Sequence, residues 1–596
     1  MQKLLESYGI LVQENIKYTN AEINGNTITI CNTNINKIDL SILEQKQINE
    51  ITIANCEIDY IYFANDNNVE LFFIDCVFKS QITARRSNFH KKVSFDQCIF
   101  EKKVDFSRAL FSNQVNFSLT KFECEARFIE TKFSAKYTNQ ENIENNFREV
   151  VFKDKAFFDN VKFKARVSFE IARFESEARF VKAFFLAEYT NQENIENNFR
   201  EVVFKDKAFF DNVKFKARVS FGIAHFNNEV SFGYANFNHV VIFLHTNFKD
   251  SILFQNTSFF KNIIIFSGVE FNNVKFISDK ERDKTSTNNT TKQIYYFQDI
   301  TFKGIVNFEN IHIKDLNFKN VIFNNIVVFD NATLDNKPKF INCTFSNQFN
   351  IKQEHIQYNF KDINKNSNNL TNQPNLENTN KNDDFTKPSN LRDLFRKLKS
   401  NRIAHHNLID ASELRAQELY ARELELKHQK DKILKEKVEQ WQLIFYRNLC
   451  DHHTDLVLNL KWLATTITVF LCLYFFSKYG LNFQHFINEY NDNSIIKYIN
   501  INFIYKFESY NGFIFIFYTY ILIFMLWNVF RIFFSFAVIL CCIINQPKLI
   551  FGIANLIGDN NYNAFENLLI TLYTLIVGLI IFSLQKTARK NTIIPN

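Results

Sequence analysis

The sequence predicts an all-β solenoid over residues 51–351, then helices, the last of them apolar enough to cross a bilayer. Three observations carry this. Phe95, Phe100, Phe106, Phe111, Phe117, Phe122, Phe128 and Phe133 recur at alternating steps of five and six residues. A small or β-branched residue precedes each by two places: Val93, Cys98, Val104, Ala109, Val115, Thr120, Ala126 and Thr131. Beyond residue 390 the apolar spacing turns helical and ends in long apolar runs. The five-six beat fits neither an amphipathic helix nor one long strand. A fixed short repeat is instead the mark of a solenoid.

Within each repeat the two inward candidates stand two residues apart, the geometry of a very short strand. The extra residue in every second step suits a corner. Four faces then consume twenty-two residues, so Phe95 should lie under Phe117 and Phe106 under Phe128. Cys76 and Cys98 obey the same interval and share the small position. The same ladder should include Phe169 and Phe221.

The segments Val104-Asp105-Phe106-Ser107-Arg108 and Val115-Asn116-Phe117-Ser118-Leu119 resemble the motif of the pentapeptide-repeat family: a small residue, Asp or Asn, Leu or Phe, then a small polar residue. The match runs from about Phe63 to Phe349. It implies a right-handed quadrilateral β-helix with the large and the small residue buried. The five-six alternation departs from the family's strict spacing of five.

Residues 135–169 and 187–221 are nearly identical, differing only at Lys136 and Glu188. In each copy one Phe step is fourteen instead of six. Eight-residue insertions are therefore expected around Tyr137–Asn145 and Tyr189–Asn197, leaving one corner two coils apart. A third insertion, Ile277 to Tyr296, is rich in Lys, Asp and Thr and reads as a loop. Without insertions, eleven to thirteen coils remain.

Seventy-one Phe against eleven Gly and five Pro exclude a disordered chain and a sandwich with Gly-rich turns. Phe burial, at about 25 cal/mol per Å² of apolar surface, supplies the drive. Asn is abundant and suits corners in left-handed backbone. Net charge is +7, yet residues 51–350 hold 39 Lys and Arg against 36 Asp and Glu, so the coils are close to neutral. Ten cysteines contain no CxxC and no zinc-finger spacing. They read as small core residues in a reducing compartment. The N-terminus shows no apolar run of the signal-peptide kind.

The expected order is an N-terminal cap (1–50), the β-helix (51–351), a disordered Asn-rich linker (352–390), a charged amphipathic helical region (391–455) and a transmembrane region (456–590). The helical region carries Leu414, Leu419, Leu424, Leu426, Ile433, Leu434, Val438, Trp441 and Phe445 as one apolar stripe. A helical hairpin and a weak coiled coil are both open. His405–Glu413 also resembles the helical stretch after the repeats in membrane-attached pentapeptide-repeat proteins. Spans are expected at about 459–477, 512–530, 532–546 and 566–584, making a small bundle; two crossings with an interfacial 532–560 segment is the alternative. Lys435, Lys437, Arg447 and Lys461 precede the first run, and Lys586, Arg589 and Lys590 follow the last. Both ends should face the cytoplasm, with a multi-pass chain in a bacterial inner (plasma) membrane.

No Walker loop, GxGxxG, GxSxG or HExxH occurs. The adjacent pairs His405-His406 and His452-His453 would diverge by about 100° on a helix and not share one metal. Asp451–Asp455, before the first span, is the one stretch worth testing for metal. No catalytic, cofactor or metal residue is expected, and no enzyme. The expected function is a membrane-anchored scaffold: a cytoplasmic rod offering its faces to a protein partner, the bilayer being the other partner, with homo-oligomers left open. The alternative is a channel or transporter regulated by the rod, resting on Gly558-Asp559 before the last helix. Mimicry or binding of nucleic acid is not expected, because the coils are charge-balanced and lack a basic stripe.

Overall fold

A computed structural model describes residues 2–13, 20–135, 144–187, 196–279, 293–364, 387–479 and 562–589. The chain divides into two compact units, Met1–Gln357 and Tyr358–Asn596. The first is a β-solenoid of about 13 turns. Its described strands, many only two residues long, lie in three sheets of 28, 11 and 8 strands. Strand partners within the coils are parallel and one turn apart, as in Val93↔Val115 and Phe100↔Phe122.

The Phe spacing places rings in four columns. Phe95, Phe117, Phe147, Phe169, Phe199 and Phe221 form one, with centroids 4.9–5.3 Å apart. Phe100 stacks on Phe122, Phe106 on Phe128 and Phe111 on Phe133, at 5.0, 5.6 and 5.2 Å. All ten expected ladder rings, Phe169 and Phe221 included, are buried. Rings of adjacent columns meet edge-on, as Phe147 meets Phe158 at 85°, the favoured alternative to face-to-face contact. The fourth column ends at Phe259. Beyond it, long strands such as His312–Phe323 run through former corners.

The five-six alternation maps onto two corner types. Each five-residue step is a β-turn: Ala109 N–H donates to the Phe106 carbonyl at 3.0 Å, and Arg108 between them has φ +63°. Several six-residue steps hold an Asn or Asp whose side chain accepts from the next backbone N–H, as Asn113 does from Gln114 and Asp154 from Lys155, both at 2.8 Å. Left-handed backbone was expected of Asn, yet Leu119, Glu130, Ile171, Lys182 and Ile223 also adopt it. Coil stacking imposes the conformation whatever residue stands there.

Buried Thr and Cys at the small position are satisfied by the coil before. Thr131 Oγ1 donates to Phe106 O at 2.7 Å, and Cys76 Sγ to Ile53 O at 3.3 Å. A polar atom so paired avoids the cost of an empty buried donor.

Before residue 51 the chain already coils, since Thr27–Cys31 pairs in parallel with Glu50–Ala54. The two outermost strands, Ile10–Val12 and Asn20–Asn24, pair antiparallel with Asn34–Asp39 and Thr27–Cys31. Short helices α1 (Gln2–Ser7) and α2 (Leu40–Gln45) belong to this end, and α3 (Gln353–Ile356) follows the last strand. The insertions are narrower than expected. Glu144–Asn146 and Glu196–Asn198 are coil strands with Asn145 and Asn197 buried, and most of each insertion lies outside the described residues. So do residues 280–292 of the third, residues 365–386 of the expected linker, and the expected spans 512–530 and 532–546.

The described residues of the second unit form the helices α4 (Pro388–Ala404), α5 (Leu408–His428), α6 (Leu434–Cys450), α7 (Leu456–Tyr479) and α8 (Ala564–Arg589). α4 and α5 form a hairpin that buries Leu391, Leu394, Phe395 and Leu398 with Leu414, Ala421 and Leu424. α7 and α8 run antiparallel, with Phe470 and Tyr573 stacked at 3.8 Å among Ile467, Leu471, Tyr474, Ile570 and Val577. Each of these two is long and apolar enough to cross a membrane. Leu473, Leu568, Leu572, Leu575, Leu579 and Phe582 face outward. The expected apolar stripe divides. Leu414, Leu424 and Leu426 are buried, whereas Ile433, Leu434, Val438, Trp441 and Phe445 are exposed, because α6 turns its ion-paired side toward α5.

Candidate functional site

Two regions present chemistry outside the core. The first is the outer surface of the solenoid. Strand alternation sends every second side chain outward, and the register brings Arg127, Phe157, Arg179 and Phe209 into one row on successive coils. The Arg127 guanidinium lies 5.8 Å from the Phe157 ring centroid, and that of Arg179 lies 6.0 Å from Phe209. Arg179 also pairs with Asp159 at 3.1 Å. On another face Lys162 sits 5.5 Å from the Phe184 ring. Elsewhere opposite charges alternate between coils: Lys79 lies between Glu57 and Glu101, and Arg108 grips Glu130 with two bonds of 3.0 and 3.2 Å. Exposed pairs of this sort contribute about 0–1 kcal/mol each, so the ladders neutralise the surface more than they stabilise it. The Arg–Phe row is legible only once the fifty-two-residue duplication is laid over the coil register.

The second region is the joint between α6 and α7. Asp451, His452 and His453 have φ of +49°, +54° and +70° in succession, with no glycine among them. Left-handed backbone costs about 1–2 kcal/mol per such residue, so the surroundings must hold it. The Tyr420 hydroxyl donates to the Asp451 carboxylate. Thr454 Oγ1 donates to the Asp451 carbonyl at 2.7 Å, and Asp455 Oδ1 accepts from Leu458 N–H at 2.8 Å, capping α7. Nδ1 of His453 is 3.5 Å from Cys450 Sγ and 3.4 Å from both Ser583 Oγ and Thr587 Oγ1 of α8. Asn459 Nδ2 donates to Ser583 Oγ at 3.0 Å. Arg447 forms two bonds with the buried Glu423, of 2.9 and 3.2 Å, and its guanidinium carbon lies 3.9 Å from the centre of the Phe360 ring.

Burial, then the nearby Arg447 and His453, pushes His452 down to about 4. Burial lowers His453 as well, with Lys586 adding to it, so both imidazoles are neutral at pH 7. Burial raises the Cys450 thiol and leaves it a weak nucleophile. The His452 ring faces Tyr420 and the His453 ring faces Tyr446. They diverge, as adjacency led us to expect, though through a left-handed turn and not a helix. Among the described residues no group of three or more His, Cys, Asp and Glu is arranged to hold a metal ion. The geometry fastens α6 to α7 and α8. Its sequence signal was the presence of Asn459, Ser583 and Thr587 in apolar helices, where polar side chains serve as interhelical contacts.

His405 and His406 are exposed at the end of α4. Gly558-Asp559, on which the channel reading rests, lies outside the described residues. Comparison of the chain with family models, with curated proteins and with solved structures gives no match in any of the three.

Proposed function

We propose that this chain is a membrane-anchored scaffold that displays a β-helix of pentapeptide-repeat type, right-handed and four-sided, to a protein partner in the cytoplasm. The observation that carries the reading is the filled interior. Stacked Phe rings fill all four columns as far as Phe259 and three columns beyond it, so the recognition chemistry of the described coils stands on the outside. The Arg–Phe row combines the residue types enriched at protein interfaces. α7 and α8, with rows of outward Leu, supply the anchor to the bilayer. The scaffold acts by position and needs no catalytic group or cofactor. Nucleic acid is a poor partner for its neutral faces, and the homo-oligomer stays open to the same row.

The test is photocrosslinking of the full chain in its membrane, with benzoylphenylalanine at Phe157 or Phe209. A discrete adduct at both positions is expected, and it should weaken when Arg127 and Arg179 are changed to Glu while the melting temperature holds. An outer surface that yields no adduct at either position overturns the proposal.

A further inference from the structure

α6 wears its apolar side outward. Leu434, Val438, Trp441 and Phe445 stand at helical intervals of four, three and four, so they share one stripe. Leu434 is 75% exposed and Trp441 is 74% exposed. The opposite side, turned toward its neighbours, buries Leu443, Leu449 and Cys450 in its second half but is polar in its first. There Glu439 takes two bonds from Arg422, at 2.9 and 3.1 Å, and Arg447 pairs with Glu423. A helix in water keeps its outward face polar, and the outward face of α6 is its apolar stripe. Lys435 and Lys437 flank the stripe, and Lys430 and Lys432 precede it.

The position of α6 in its unit says what covers this stripe. The joint at 451–455 leads straight into α7. Trp462, half-exposed near the start of α7, donates from Nε1 to the Asn448 carbonyl at 2.7 Å and ties the two helices at that level. Leu449 and Cys450 pack with Ile580 of α8. The same end of the α7–α8 pair carries Lys586 and Arg589. Trp, Lys and Arg at one end of apolar helices are the residues of a membrane–water interface. A helix with a Trp-bearing apolar stripe and lysines beside it, joined at that depth, has the pattern of one lying in the interfacial plane.

Resting on the anchor reading, we infer that α6 is an interfacial helix: it lies on the bilayer surface with Leu434, Val438, Trp441 and Phe445 among the acyl chains and its lysines on anionic headgroups. The scaffold would thus be held to the surface by a lateral contact besides its spans.

The experiment uses the full chain reconstituted in vesicles of phosphatidylcholine and phosphatidylglycerol, with a parallel set whose lipids are brominated near the headgroup end of the acyl chain. The emission of Trp441 is taken as the difference between wild type and Trp441→Phe, a change at an exposed position. The inference requires that this difference be blue-shifted, lose most of its intensity to brominated lipid and resist aqueous iodide. It also requires that the shift weaken when phosphatidylglycerol is left out. Vesicle flotation separates the two readings. Chain that floats while Trp441 stays open to iodide overturns the inference and leaves the anchor standing. Chain that does not float overturns both. A Trp441 shielded from iodide but unquenched by brominated lipid, its shielding lost on dilution with lipid, means that a second copy covers the stripe, and this too overturns the inference.

Discussion

Phe157 and Phe158 are neighbours in sequence that point to opposite sides of the same coil, and substituting each with Ala tests the register with one residue as control for the other. Phe158 is fully buried between Phe128 and Phe180, at 4.8 and 4.9 Å, and meets Phe147, Phe152 and Phe169 edge-on. Truncating a buried Phe costs about 3–5 kcal/mol. Each ring pair adds about 0.5–1.5 kcal/mol beyond area burial, which places Phe158→Ala at the upper end. Phe157 is half-buried and keeps chiefly the Arg127 contact, so Phe157→Ala should cost about 0.5–1 kcal/mol. At about 2 °C per kcal/mol for a large unit, the melting temperatures should fall by roughly 6–10 °C and about 1–2 °C respectively. Solenoid coils couple mainly to their neighbours. Amide exchange in the Phe158→Ala variant should therefore rise first in Ala126–Arg127 and Ala178–Arg179, the strands paired with Ala156–Phe157. Equal losses for the two variants, or the larger loss at Phe157, would refute the inward-outward assignment on which every coil depends.

Three other outcomes follow from single features. Ile171 and Ile223 are β-branched residues at φ +59°, so Ile171→Asn and Ile223→Asn should each raise stability by about 0.5–1 kcal/mol in urea denaturation, through relief of left-handed strain. Cys56, Cys76 and Cys98 should resist aromatic disulfide reagents until the chain unfolds. At Cys76 the contact with Cys56 lowers the pKa, but the Cys98 thiol and burial outweigh it and push it up to about 12. Since the folded value lies above the ordinary 9.0, this contribution is present below pH 9 and lost as pH rises toward 12, which a denaturation series across that range will read. His452 is the reverse case: its folded value is about 4 against an ordinary 6.5, so stability is full above pH 6.5 and falls between pH 6.5 and 4. In His452→Gln, helical circular dichroism of the second unit should lose that slope.

The core could be read from sequence because one residue type marks it at an invariant spacing. Phe95 over Phe117 follows from counting alone. The corners could not be read so fully. Leu119, Glu149 and Ile171 occupy left-handed backbone without the Gly or Asn that would advertise it, since hydrogen bonds to the next coil decide their conformation. Arg108 N–H, for example, donates to Ile129 O at 2.8 Å. The joint at 451–453 stands out in sequence for its histidines, yet two of the partners of His453, Ser583 and Thr587, come from α8, about 130 residues later. Local patterns carry no record of such a meeting. The stripe from Leu414 to Phe445 looks like one face in sequence, and a helical stripe says only that a face is apolar, not what lies against it.

That last distinction separates the two units. On the duplicated coils of the solenoid, outward apolar residues stand among charges, as Phe157 lies beside Arg127 and Arg179. Scattered in this way they are ordinary for a surface in water. On α6, α7 and α8 they form rows, while the polar groups turn inward to one another as Asn459–Ser583 and Glu423–Arg447. Water would penalise the rows, and hydrocarbon would penalise any unpaired polar group among them. An apolar surrounding, as the proposed bilayer anchor supplies, fits both facts. It follows that detergent removal should precipitate the full chain through its second unit while leaving the Phe ladder intact. Near-ultraviolet circular dichroism of the resuspended precipitate should keep the stacked-ring signal, and its loss together with solubility would mean that the two surfaces do not obey separate solvents.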